Sequence, residues 1–166
     1  MKKLILIRHS KTENLVTGQS DYFRPLKPRD HNDAHLIAEK LKEKGLTPDL
    51  LISSPAKRAE KTAKELVREI NYDKKKIKSA DSLYESSYEK YLELIHATDD
   101  KHESIFIIAH NPTITEVGER LSGAILSNIP TCAIVCISFD VESFKEITEE
   151  SGHILFFDYP KKHLKN

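Results

Sequence analysis

The stretch LILIRHSKTE, residues 4–13, carries the sharpest signal in the chain. Four aliphatic residues in a row call for a strand buried on both faces, as in a parallel sheet. Arg8 and His9 follow at once, then Ser10 and a polar run. A buried strand that ends in two adjacent anion-seeking side chains suggests a ligand at its carboxyl end.

Working outward, apolar runs alternate with helical patterns. Residues 49–53 (DLLIS), 76–80 (KIKSA), 104–109 (SIFIIA), 131–139 and the run from 152 (GHILFFDY) read as further strands. Residues 32–44 place Ala34, Ile37, Ala38 and Leu41 on one stripe, with Gly45 positioned as a C-terminal cap. Ser54 and Pro55 suit the entry to a second helix carrying Ala56, Ala59, Ala63, Leu66, Val67 and Ile70 inward. Residues 86–97 and a segment from Asn111-Pro112 supply two more helices. This order predicts an α/β fold: a three-layer α/β/α sandwich around a mostly parallel sheet of about six strands. With 166 residues and neither repeats nor a linker, the chain reads as a single domain, 1–166. The long irregular segment 10–31 falls where functional loops do.

Composition narrows the function. The 26 basic residues balance the 26 acidic ones, which argues against nucleic acid or an anionic membrane surface as partner. No apolar run approaches the roughly 20 residues of a membrane span, and the N-terminal apolar stretch is too short for an export signal. Cys132 and Cys136 read as buried thiols on one strand face, in a reducing cytoplasm. They lack the companions that zinc needs.

In wound α/β sheets, ligands sit beyond the carboxyl ends of the strands. The first strand delivers Arg8 and His9 there, the second Ser53-Ser54-Pro55 and then Arg58, the fourth His110 and Asn111. Guanidinium forks match phosphate oxygens, and helix N-termini at Ser54 and Asn111 would add N–H donors. A neutral histidine in such a pocket can attack phosphorus. Taken singly, each residue also reads as an ordinary surface or capping residue; their joint placement points to phosphoryl chemistry. Glu85, after the weak third strand, could reach the same edge and otherwise reads as a solvated helix-entry residue. Tyr84, Tyr88 and Tyr91 read as packing, and His31, His35, His96, His102, His153 and His163 as surface.

These motifs carry a resemblance. LILIRHSKTE resembles the RHG signature of the histidine phosphatase (phosphoglycerate mutase-like) superfamily, SSPAKRAEKTA its second motif, and IAHNP its second-histidine motif. RPLKPRDHNDA (24–34), TPDLLISSPAKRAEKTA and SLYESSYEKYLELI resemble the short SixA-type branch of phosphohistidine phosphatases. The resemblance implies a phosphoglycerate mutase-like fold and a metal-independent phosphatase without cofactor. It implies His9 as nucleophile, with Arg8, Arg24, Arg58 and His110 on the phosphoryl oxygens and Glu85 in the place of the family's general acid, a proton donor to the leaving group; Ser10 and Asn111 are candidates for further contacts. The implied partner is a phosphorylated protein, such as a phosphohistidine-bearing signalling domain. A small phosphomonoester is the alternative substrate, and a non-catalytic phosphate-binding module the second alternative. Two departures stand out: Ser10 replaces the glycine of RHG, and Asp30 replaces a glycine after RPL. Serine would be strained if that position needs φ > 0.

Overall fold

The computed structural model describes residues 1–10 and 30–163, with side chains from residue 33 onward in the second span. Six strands form one sheet: β1 (Lys2–Arg8), β2 (Leu50–Ser53), β3 (Lys78–Ser79), β4 (Ser104–Ala109), β5 (Ile134–Phe139) and β6 (Gly152–Asp158). Their order is β3-β2-β4-β1-β5-β6. Four helices alternate with them: α1 (Asp30–Glu43), α2 (Lys57–Val67), α3 (Tyr88–His96) and α4 (Thr113–Ser122).

The continuous apolar run of β1 is explained by burial on both faces. Leu4 and Leu6 join a core with Tyr91 and Ile95 of α3 and Ile114, Val117 and Leu121 of α4. Ile5 and Ile7 join a second core with Ala34, Ile37 and Leu41 of α1 and Ala59, Ala63 and Leu66 of α2. The sheet is therefore covered on each side by a helix pair, which is the expected α/β/α sandwich. β1 pairs parallel with β4, as β2 does with β3 and β4, whereas β5 is antiparallel to both β1 and β6. The parallel half contains the three strand ends that matter.

Local chemistry sets the element ends. Gly45, at φ 69, closes α1. There Leu46 N–H reaches the Leu41 carbonyl and Gly45 N–H that of Lys42, the paired bonds of a glycine cap. β5 starts later than its apolar run, because Cys132 adopts φ 57. Its N–H donates to the carbonyls of both Arg8 and His9, so Cys132 lies before the strand, although its side chain is buried in the same core as that of Cys136. Helix α2 begins at Lys57 rather than at the Ser54-Pro55 entry. Asp30 and Asn32, either of which could have capped a helix starting at 32, both fall inside α1, which begins at Asp30. Among those described, no helix is long and apolar enough to cross a membrane.

Several histidines are more engaged than a surface reading allows. His35 lies 2.8 Å from Glu65 and 3.1 Å from Glu69, joining α1 to α2. His96 Nε2 is 2.7 Å from the Ile147 carbonyl, and His163 is 2.6 Å from Asp158.

Gly152 opens β6 against a crowded β5. A Cβ there would fall 2.5 Å from Ile137 Cγ2 and 2.6 Å from Phe139 Cε1, both in fully buried side chains. Gly152→Ala is therefore expected to lower stability by about 1–3 kcal/mol through overpacking. Urea unfolding checks this, and an unchanged midpoint would show that the strand can yield.

Candidate active site

The carboxyl ends of β1, β2 and β4 converge. The His9 N–H donates to the Ala109 carbonyl and the Ser54 N–H to that of Ile108, so the three chain ends are stitched together just where they leave the sheet. His9, Arg58 and His110 are all buried, at 8%, 5% and 8% exposure.

His9 is held at both ring nitrogens. Nδ1 lies 2.6 Å from the Ser10 carbonyl, an acceptor only, so Nδ1 carries the proton and donates. Nε2 then keeps its lone pair, which accepts from Arg58 Nε–H at 3.3 Å. Burial drives the His9 pKa down to about 3, and nearby His110, Arg58 and Arg8 push the same way, against the Ser10 carbonyl. The imidazole is neutral at physiological pH, with the lone pair on Nε2.

The His110 ring centroid stands 5.0 Å from that of His9. Its Nε2 is 2.6 Å from Ser54 Oγ, and Ser54 Oγ also accepts from Ala56 N–H at 3.3 Å. Ser54 was expected to open the helix; instead its hydroxyl orients the second histidine. Arg8, half-buried, donates from Nη1 to the Ile129 carbonyl at 2.9 Å. Its Nε is buried with no hydrogen-bond partner among the described residues, as is Ser10 Oγ. Ser10 itself is fully buried. Among the described residues other than glycine, positive φ falls at Glu85, Ser127, Cys132 and Glu150, not at Ser10. The serine that replaces glycine thus carries no left-handed strain; it brings a buried hydroxyl to the site.

Asn111 spends its side chain on partners outside the histidine pair. Its Nδ2 donates to Asn128 Oδ1 (2.8 Å) and the Ile129 carbonyl (3.0 Å), while its Oδ1 accepts from Thr115 at 2.6 Å. The amide is saturated, and it anchors the segment whose Ile129 carbonyl also receives Arg8. Arg24 lies outside the described residues.

Beside His110 opens a cavity of about 290 Å³, lined by Arg58, Tyr84, Glu85, Ser86, Asn111 and Thr113 among others. The Tyr84 ring stands edge-on to His110 at 5.5 Å and has the Arg58 guanidinium 5.8 Å from its centroid. So Tyr84, read from sequence as packing, forms a wall of the site. The buried hydroxyl of Tyr91 donates to the Leu83 carbonyl at 3.1 Å and bonds the backbone of His110, fixing that wall to β4. Glu85 is exposed at the cavity rim, at φ 45, a backbone region glutamate seldom occupies. The sequence offered no signal for the Ser54–His110 and Tyr84–His110 pairs, which unite residues 56 and 26 positions apart.

The His9 environment has a measurable consequence. An unfolded histidine binds its proton near pH 6.5, the folded one near 3. Between those values the unfolded state holds more protons, so stability falls as pH drops from 6.5 toward 3. His9→Asn should flatten that part of the stability–pH curve. In NMR titration the His9 ring should remain the Nδ1–H tautomer from pH 5 to 8; a midpoint near 6.5 would contradict the burial argument.

Comparison with known proteins agrees with this geometry. Among solved structures, a protein described as the phosphohistidine phosphatase SixA of Agrobacterium tumefaciens superposes with a TM-score of 0.82 at 26% identity, over 96% of this chain and 98% of that one. A structure of the protein histidine phosphatase SixA complexed with tungstate gives a TM-score of 0.84 at 21% identity, over 96% and 98%. Among curated proteins, the mitochondrial serine/threonine-protein phosphatase Pgam5 of Drosophila ananassae is 37% identical over 76 residues, 46% of this chain but 26% of that protein. The 2,3-bisphosphoglycerate-dependent phosphoglycerate mutase of Bartonella tribocorum is also 37% identical, over 92 residues, 52% of this chain and 43% of that one. The chain thus spans about a quarter to under half the length of these curated relatives. The family model for the histidine phosphatase superfamily (branch 1) matches residues 4–125, and the chain belongs to that superfamily.

Proposed function

We propose that residues 1–166 form one histidine phosphatase domain, a metal-independent phosphohydrolase that works through a phosphohistidine at His9. The observation that carries this reading is a neutral, buried imidazole with Nδ1–H spent on a carbonyl and the Nε2 lone pair turned toward Arg58. Nε2 attacks phosphorus, the N–P bond forms as the bond to the leaving group breaks, and the ring gains positive charge. The Ser10 carbonyl stabilises that charge through Nδ1–H. Arg58 transfers its hydrogen bond from Nε2 to a phosphoryl oxygen. Arg8, His110 and Ser10 Oγ hold the other oxygens, with Arg24 as a further phosphate ligand. Asn111 supports this cup indirectly, through Ile129. Water then attacks the phosphohistidine in line, releasing phosphate and restoring His9. Phosphoryl transfer depends mainly on positioning and on charge placed around the equatorial oxygens, and the cationic side chains supply both.

The substrate we infer is phosphohistidine on a protein. SixA-type neighbours covering 96% of the chain favour it, and tungstate, bound in one of them, is a phosphate-like oxyanion. The cavity beside His110 gives the leaving group a place between Tyr84 and Glu85. An imidazole leaves readily, whereas an alkoxide needs a proton from an acid, and Glu85 is the candidate. A small phosphomonoester is the second reading, favoured by the identity with a phosphoglycerate mutase. The proposal includes a cytoplasmic setting.

His9→Ala should abolish hydrolysis of phosphoramidate and phosphohistidine proteins, with wild-type activity unaffected by EDTA. A His9→Ala enzyme as fast as wild type would refute the nucleophile, and a wild type that binds phosphate without ever labelling His9 would mark a binding module. Arg58→Ala should cost about 10²–10³-fold in kcat, the scale of losing one preorganised charge donor. Glu85→Gln should slow phosphomonoester hydrolysis at least about tenfold while sparing phosphohistidine, since general acid catalysis contributes at that scale or above. Equal losses on both substrates would remove Glu85 as the acid.

A further inference from the structure

The backbone that fixes the His9 tautomer is tied to the helix carrying Arg58 through a single hydroxyl. Thr62 lies on α2 one turn after Arg58 and is fully buried. Its Oγ1 is 2.8 Å from the Arg58 carbonyl and 3.0 Å from the Ser10 nitrogen. A hydroxyl owns one proton. It donates that proton to the Arg58 carbonyl and accepts the Ser10 N–H on a lone pair. Ser10 is therefore clamped on both sides, its N–H by Thr62 and its carbonyl by His9 Nδ1–H at 2.6 Å.

We propose that Thr62 is a positioning residue: its hydroxyl holds Ser10 where the carbonyl captures His9 Nδ1–H, and couples that position to the helical turn bearing Arg58. The inference rests on the reading of His9 as nucleophile. Without the hydroxyl, the Ser10 N–H is left buried and unpaired, which costs more than the bond was worth. Ser10 shifts to find another acceptor, and its carbonyl leaves Nδ1. The ring is then free to carry its proton on Nε2, where no lone pair remains to attack phosphorus. Other charged clusters offer less: the His35–Glu65–Glu69 group is accounted for as an α1–α2 link, and Asp49 in the cleft at the opposite sheet edge already caps the Glu103 and Ser104 N–H groups.

The test compares Thr62→Val with Thr62→Ser, each first checked for cooperative thermal unfolding. With phosphoramidate as substrate, Thr62→Val should lower kcat about 10²-fold, the scale at which outer hydrogen-bond partners orient a functional histidine, with KM changed less than about threefold. Thr62→Ser, which restores the hydroxyl, should recover most of that loss. Histidine ¹⁵N NMR gives the second readout: His9 should be the Nδ1–H tautomer in wild type and Thr62→Ser, and shift toward Nε2–H in Thr62→Val. A folded Thr62→Val with wild-type kcat and an unchanged tautomer overturns the proposal, as does a Thr62→Ser that loses as much as valine. If valine does not fold, Thr62→Ala takes its place under the same criteria. A wild type without phosphatase activity would refute the proposed function instead, and the tautomer comparison would still decide the role of Thr62.

Discussion

An imidazole buried among two guanidiniums and a second imidazole can hold no proton beyond the one it spends on the Ser10 carbonyl. Desolvation and the surrounding positive charge both oppose the imidazolium form. The Nδ1–H bond then decides which nitrogen keeps the lone pair. The charges that make the pocket attract an oxyanion are thus the same ones that keep its histidine unprotonated. A dianionic phosphoryl group entering the cup would reverse that balance by neutralising the cations. The ring could then accept positive charge as the N–P bond forms.

The sheet makes this possible by rigidity. β1, β2 and β4 are short, almost wholly buried and adjacent, so each hands over its next residues with little freedom. His9 N–H on Ala109 and Ser54 N–H on Ile108 extend the ladder one step past the sheet, into the site itself. Cys132, at φ 57, caps the Arg8 and His9 carbonyls from the other side. An arginine buried to 5% exposure would be costly without such partners. Here it donates to His9 and lies over Tyr84.

Much of this was legible in the chain. Apolar runs located five of the six described strands, and helical stripes the four described α-helices, because burial writes a pattern that turn residues interrupt; β3, two exposed residues, left only a weak trace. The boundaries that failed are informative. The α2 entry at Ser54 was misread because its hydroxyl serves His110 across 56 residues, a demand that local capping rules cannot see. β5 starts late because its first residues cap β1, and its apolar character gave no hint of antiparallel pairing. Arg8, His9, Arg58 and His110 were found as a set since strand ends are predictable meeting points. Asn111 spends its amide on Asn128, Ile129 and Thr115, and the first two lie too far along the chain for its own neighbourhood to reveal them.

Ser10 shows why a motif departure needs a structural reading. Glycine in that place suggested a left-handed backbone, and serine would then have been a defect. The backbone is not left-handed there, so the substitution costs no such strain and adds a buried hydroxyl with no hydrogen-bond partner among the described residues. A buried polar atom is tolerated when something satisfies it for part of the time, and an oxyanion in this cup would do so. The same residue lends its N–H to Thr62 and its carbonyl to His9. Two of its three polar groups thus fix the histidine, and on the proposed reading the third is left for the ligand. Glycine could supply the first two but not the third, so the exchange alters what the pocket can hold without loosening what holds His9.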